Sequence, residues 1–259
     1  MSLLHDAFAR AKSENRAALI AYLPAGYPTE DGAVACIAAM VEGGVDIVEI
    51  GFPYSDPVMD GPTIQDAVNI SLEGGTKSAT VINTVKRVAD LGVPALVMSY
   101  WNPIERYGLD TFAADFHAAG GIGVITPDLT PEEAEDWILA TNSNDVDRVF
   151  LVALSSSDER IAKVANATTG FIYAGAVMGV TGARTSISDA IEGLVAKVRR
   201  HSDLPVAVGL GVSTPEQAHE IAQYADGVIV GSAFVTAIKQ DGAAGAKALA
   251  QALSKGLAR

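Results

Sequence analysis

Two textures alternate along the chain. Short apolar runs, rich in Val, Ile and Ala, occur at 18–23, 45–50, 95–99, 121–125, 148–153, 170–174, 205–209 and 227–230. Each is nearly continuous. A strand with one wet face alternates apolar and polar residues, so continuous runs predict strands covered on both faces. Helical patterns separate them at 29–42, 62–90, 109–119, 131–141, 157–167, 188–200, 214–224 and 243–257. In Thr130-Pro131-Glu132-Glu133 and Thr214-Pro215-Glu216-Gln217 a capping Thr precedes Pro at the first helical position. Eight strands alternating with eight helices predict an α/β fold, a single (β/α)8 TIM barrel filling 1–259 as one domain. An amphipathic stretch at 3–12 predicts an extra N-terminal helix that plugs the barrel's bottom. An open doubly wound sheet is the alternative, but it wants a glycine-rich dinucleotide loop after the first strand. Pro24-Ala25-Gly26-Tyr27-Pro28 stands there instead.

Charge and cysteine content narrow the class. A formal net charge of -13 argues against nucleic acid and against an anionic membrane surface. It leaves room for a small anion, because backbone N–H groups bind phosphate without lysine. The lone cysteine, Cys36, permits no disulfide within the chain and fits a reducing cytoplasm. The first residues mix charges every few positions and lack a secretory apolar segment, and no apolar run is long enough to span a membrane.

In a barrel, chemistry sits at the C-terminal strand ends. Glu49 closes the second strand, where burying a carboxylate is costly and Val or Ile is usual. Alternation places Val45, Ile47 and Glu49 on one face. If that face is the lumen, burial raises the glutamate's pKa and lets it carry a proton near neutrality. A structural carboxylate paired with a hydroxyl or amide is the other reading. Asp56 and Asp60 follow in a Pro- and Gly-rich loop, where turn aspartates are ordinary. Asp56 is assigned to that role, while Asp60 is placed to swing over the barrel mouth. No lysine falls at a strand end, which argues against a Schiff-base aldolase, and every histidine lies in or beside a helical pattern, which argues against a histidine-bound metal. Acid–base work by carboxylates remains. Gly182, Gly211, Gly231 and Ser232 converge on the corner where barrels bind phosphate, with 231–237 as a short helix presenting bare N–H groups. The glycine-spaced stretch 175–186 reads as a lid.

The run Glu49-Ile50-Gly51-Phe52-Pro53-Tyr54-Ser55-Asp56-Pro57-Val58-Met59-Asp60-Gly61-Pro62-Thr63-Ile64-Gln65 resembles the signature of the tryptophan synthase α subunit family. Pro24–Pro28, Tyr100-Trp101-Asn102-Pro103-Ile104, Pro127-Asp128-Leu129, Gly179–Arg184, Gly209–Val212 and Gly231-Ser232-Ala233 continue the likeness over essentially the whole chain. The resemblance implies a lyase that splits indole-3-glycerol phosphate into indole and glyceraldehyde 3-phosphate by a retro-aldol reaction. It implies Glu49 as general acid/base and Asp60 as the acceptor of the indole N–H. Tyr22, Tyr100, Ile125 and Leu210 would wall the indole pocket, Tyr173 would lie near the glutamate, and Thr181 would order the lid against Asp60. Gly182, Gly211, Gly231 and Ser232 would hold the phosphate. No metal or cofactor is implied in this chain. The family's β subunit carries pyridoxal phosphate, receives indole through a tunnel and completes an αββα heterotetramer. Loops 53–62 and 100–107 would face it, which would give Met59 or Trp101 a reason to be exposed.

Tyr22 and Pro24 stand where some members carry Phe and Thr, and 174–178 lacks the arginine and serines of some lids. These departures bear on lid closure rather than chemistry. A stand-alone lyase that releases indole, and a scaffold barrel that only activates its partner, are the competing readings.

Overall fold

The computed structural model describes residues 3–175 and 184–259, with side chains left out at 184–188. Its strands are β1 Ala18–Pro24, β2 Ile47–Gly51, β3 Ala95–Met98, β4 Gly123–Ile125, β5 Asp147–Val149, β6 Leu151–Ala153, β7 Ile172–Gly175, β8 Val206–Gly209 and β9 Gly227–Val230. All pair in parallel, in the order β5-β4-β3-β2-β1-β9-β8-β7-β6. The two ends of that order, β5 and β6, are halves of one run broken at Phe150. β5 pairs with β4 and β6 with β7, so the split run closes the ring. The fold is a TIM barrel. The expected eight strands are present, the fifth as two segments.

The helices are α1 Leu3–Ser13, α2 Glu30–Glu42, α3 Pro62–Glu73, α4 Ser78–Ala89, α5 Trp101–Tyr107, α6 Leu109–Ala118, α7 Glu135–Ser143, α8 Asp158–Ala167, α9 Arg184–Val198, α10 Pro215–Ala222 and α11 Ser232–Gly256. Four differ from the sequence reading. The single helix expected at 62–90 is two, because α3 stops at Gly74 and Gly75 follows it with φ 87°. Residues 101–107, read as loop, form α5, and Pro103 is tolerated there because the first turn needs no N–H from it. Pro131–Glu133 is a 3-10 turn, and α7 begins only after Ala134 leaves helical geometry. The short helix at 231–237 and the last helix merge into α11, kinked at Gly242.

Alternation along each strand builds two cores. Val48 and Ile50 face outward and pack under the helices. Ile20, Ile47, Leu96, Ile125, Val149, Phe171, Ala207 and Ile229 face the lumen. The lumen is plugged from below by Leu4, Ala7, Phe8 and Ala11 of α1, with the Phe8 and Phe171 rings 5.6 Å apart. The N-terminal helix therefore does what its amphipathic pattern predicts. At the same end, buried Asp46 accepts from Arg16 (2.6 and 2.8 Å), Arg10 (3.1 Å) and the Leu19 N–H (2.9 Å). This clamp ties the segment after α1 to the start of β2, at the face of the barrel associated with stability. Among the described residues no helix is long and apolar enough to cross a membrane.

Candidate active site

β2 carries Glu49 in register between Tyr22 of β1 and Leu96 of β3. Ile47 belongs to the lumen core, so period-two alternation turns Glu49 inward as well, one step nearer the mouth. The side chain is 1% exposed, and neither carboxylate oxygen has a hydrogen-bond partner among the described residues. Burial with nothing to offset it pushes the carboxyl up to about 8. At neutral pH it therefore holds a proton.

Asp60 is half-buried in the loop between β2 and α3. Burial raises its pKa, and the neighbouring Tyr100 hydroxyl opposes the rise. The two acids thus differ: one is partnerless, fully buried and protonated, the other is half-buried beside a hydroxyl. Such divergence assigns acid and base roles within one site. The Tyr22 and Tyr173 phenols are pushed upward, first by burial and then by the charges of Glu49 and Asp60. Both stay neutral and keep a proton to donate.

These groups surround a cavity of about 380 Å³ at the C-terminal end of the barrel. Of the residues singled out in the sequence, Tyr22, Glu49, Asp60, Tyr173, Gly211, Gly231 and Ser232 line it together. Tyr100 is not on the wall; it lies behind the Asp60 loop, its hydroxyl accepting from the Met59 N–H at 2.9 Å. Ile125 faces the lumen, fully buried and in register with Met98, but is not itself on the cavity wall. Leu210 packs against the outer core instead. Thr181, Gly182 and most of the 175–186 stretch lie outside the described residues.

Sequence reasoning missed Met98, Leu151 and Ile229, which supply apolar wall, and Thr63 and Ile64 in the first turn of α3. Met98 and Ile229 were legible: each stands two positions beyond a lumen residue, Leu96 and Gly227. Gly51 and Gly209 were overlooked for a different reason, since their work is to be small. A Cβ on Gly51 would collide with the Tyr22 phenol, and one on Gly209 with the Tyr173 phenol. The two missing side chains let both rings lie across the mouth of the barrel.

The wall carries no lysine, arginine or histidine among the described residues. No group of three or more His, Cys, Asp or Glu is placed to hold a metal ion among them. An anion here must be met by main-chain N–H groups and hydroxyls. Gly231 and Ser232 provide them where α11 opens without a side-chain cap, beside Gly211 at the end of the adjacent strand β8. That corner and Glu49 are separated by β1 alone, since the ring runs β2-β1-β9-β8. At the cavity's rim, Val58 is 78% exposed and Met59, which also lines the cavity, is 40% exposed, an apolar pair beside Asp60. Trp101 is half-buried, edge-on to Trp137 at 5.9 Å.

Comparison with known proteins gives one answer. The family model described as "Tryptophan synthase alpha chain" matches residues 8–257. A tryptophan synthase alpha chain from Nocardia farcinica is 54% identical over 256 residues, covering 99% of this chain and 96% of that relative. A chain of tryptophan synthase from M. tuberculosis, solved in an aminoacrylate-bound form, superposes with a TM-score of 0.92 at 48% identity, covering 99% of this chain and 100% of that one. The tryptophan synthase alpha chain of Legionella pneumophila superposes with a TM-score of 0.90 at 30% identity, covering 99% and 97%.

Proposed function

This chain belongs to the tryptophan synthase alpha chain family, a lyase family of tryptophan biosynthesis, and from that premise we propose that it performs the retro-aldol cleavage of indole-3-glycerol phosphate. The observation that carries the reading is Glu49: a buried, partnerless carboxyl, protonated at neutrality, on the wall of a cavity it shares with a second acid.

The steps follow from that placement. Protonated Glu49 gives its proton to C3 of the indole ring. The ring nitrogen becomes positive, and the Asp60 carboxylate accepts its N–H and stabilises the charge. Glu49 is now a carboxylate in a dry recess with no donor to quiet it, and so a strong base. It takes the proton of the glyceryl hydroxyl next to the ring. That oxygen's electrons form the aldehyde carbonyl, and the carbon–carbon bond breaks. Its electron pair returns to the ring, which leaves as indole. Glu49 ends protonated, ready for another turnover. Among the described residues lysine is absent from the cavity wall, so the chemistry is assigned to the carboxylate pair rather than to a Schiff base.

Gly211, Gly231 and Ser232, with Gly182, hold the phosphate. Tyr22 and Tyr173 flank the substrate, with Ile125 and Leu210 contributing apolar surroundings and Thr181 acting on Asp60. The chain works as a single barrel domain in the cytoplasm, as the α subunit of an αββα heterotetramer. Pyridoxal phosphate belongs to the β subunit, which receives the indole through an internal tunnel. The exposed Val58–Met59 pair supports a partner docking at the Asp60 loop. Single-turnover cleavage of indole-3-glycerol phosphate tests the reading. Wild type releases indole, and Glu49→Gln loses at least about a hundredfold, the usual contribution of a general acid–base. Indole release unaffected by Glu49→Gln would overturn it.

A further inference from the structure

We infer that Tyr100 is a positioning residue: its hydroxyl holds the peptide next to Asp60, and so keeps the Asp60 carboxylate where the ring N–H of the substrate must find it. The inference rests on the role given to Asp60 above and adds how that side chain is kept in place.

The loop between β2 and α3 has little of its own to fix it. Val58 stands in solvent, Met59 is 40% exposed, and Ser55 satisfies only its neighbour Asp56. Two contacts pin the loop at its functional end. The Gln65 amide donates to the Asp60 carbonyl at 2.7 Å, which holds the backbone. The Tyr100 hydroxyl does the rest. It accepts from the Met59 N–H at 2.9 Å. That oxygen thereby fixes the peptide immediately before Asp60, and it lies close enough to the Asp60 carboxyl to oppose the rise in its pKa.

A latch is useful only if it is anchored. Tyr100 is buried, and its ring packs on Tyr54 of the same loop at 5.7 Å. The Ser99 hydroxyl donates to the Tyr100 carbonyl at 2.8 Å. The following N–H, of Trp101, donates to Asp128 at 2.9 Å, at the open end of α5. Asp128 follows β4. Tyr100 is therefore tied at its base to the ends of two barrel strands and reaches across to the β2–α3 loop. Groups anchored on strands position a carboxylate that sits on a loop. The single hydroxyl separates tyrosine from phenylalanine, so removal of that atom leaves the ring packing intact.

The test is calorimetric binding of two uncleavable ligands to wild type and Tyr100→Phe. One is indole propanol phosphate. The other is its benzothiophene counterpart, in which sulfur replaces the ring N–H. Wild type prefers the N–H ligand by about tenfold or more, the range for a hydrogen bond to a charged group. Tyr100→Phe weakens the N–H ligand by about tenfold and the sulfur ligand by less than about twofold, which removes the preference. In an Asp60→Asn background, Tyr100→Phe changes neither affinity, because the residue acts through Asp60. Equal weakening of both ligands by Tyr100→Phe would show general loosening and overturn the inference, as would an undiminished preference. A wild type with no preference would sink the role of Asp60 itself, and the latch with it, before Tyr100 is changed.

Discussion

Replacing Glu49 with Gln should destroy activity and strengthen the fold, and the strengthening should depend on pH. In the unfolded chain this carboxyl ionises near 4.5; in the barrel it ionises at about 8 because burial opposes the charge. Below about pH 4.5 both states are protonated and the site costs nothing extra. Above that the unfolded chain releases its proton while the native state keeps it. The native state then binds more protons, so stability falls as pH rises, by about 1.4 kcal/mol per pH unit, until the native group also ionises near 8. The penalty is about 3 kcal/mol at pH 7 and about 5 kcal/mol above pH 8, as a ceiling that water entering the cavity lowers. Gln keeps the shape and cannot ionise. Urea midpoints of the two proteins should therefore coincide near pH 4.5 and separate by about 1 M at pH 7, for a slope near 3 kcal/mol/M. The Gln protein should be the more resistant. A midpoint difference that is the same at pH 5 and pH 8.5 would show that Glu49 is not a neutral group in the native barrel.

Asp60→Asn keeps a hydrogen-bond acceptor and loses the charge, so turnover should fall by about a hundredfold or more while affinity for indole propanol phosphate changes only several-fold; stopped-flow cleavage and calorimetry separate the two, and joint loss of binding would count against a catalytic role. Gly51→Ala forces its methyl into the Tyr22 phenol, so it should lower stability by about 1–3 kcal/mol and raise KM; a thermal melt and KM indistinguishable from wild type would mean that the ring is free to move. Arg16→Ala leaves the buried carboxylate of Asp46 with Arg10 and the Leu19 N–H alone. It should lower stability by about 2–3 kcal/mol at pH 7 with kcat unchanged, because the clamp lies at the far end of the barrel; a large fall in kcat in the folded protein would refute that separation.

The strands were legible because both faces of each are covered, which writes them as continuous apolar runs. The helices were less so. Gly74-Gly75 is a stop signal inside an otherwise unbroken apolar period, and the period outweighed it. Trp101–Tyr107 carries a proline that reads as a loop until it falls in a first turn, where proline costs no hydrogen bond. At the site, alternation placed Glu49 on the correct face but gives no depth. Ile125 and Glu49 both point into the lumen, yet Glu49 lines the cavity and Ile125 does not. Strands in a barrel are staggered against one another, and the stagger follows from pairing registers that no single strand encodes. Leu210 is a different case: it follows Gly209, whose alternation partner Ala207 faces the lumen, so Leu210 packs against the outer core beside the site.

The charge of the site makes sense only when Glu49 is neutral. The cavity wall holds two acids and, among the described residues, no cation, and the protein around it has a formal net charge of -13. The ligand it is proposed to take bears a phosphate. Two unit charges about 8 Å apart repel by about 2 kcal/mol at an effective dielectric constant near 20. An ionised Glu49 in the same chamber would repel each negative charge of the phosphate in this way. Main-chain amides at the start of α11 would have little left to hold it with. The burial that makes Glu49 a proton donor therefore also removes one negative charge from the chamber before substrate arrives. When the proton moves to C3, the new carboxylate appears together with a positive ring, so the chamber gains no net charge at that step. A lysine at the phosphate corner would bind the anion more tightly, but its field would also stabilise the Glu49 carboxylate and draw its pKa down. Amides and a neutral glutamic acid are thus one design: the phosphate is held by dipoles so that the acid keeps its proton.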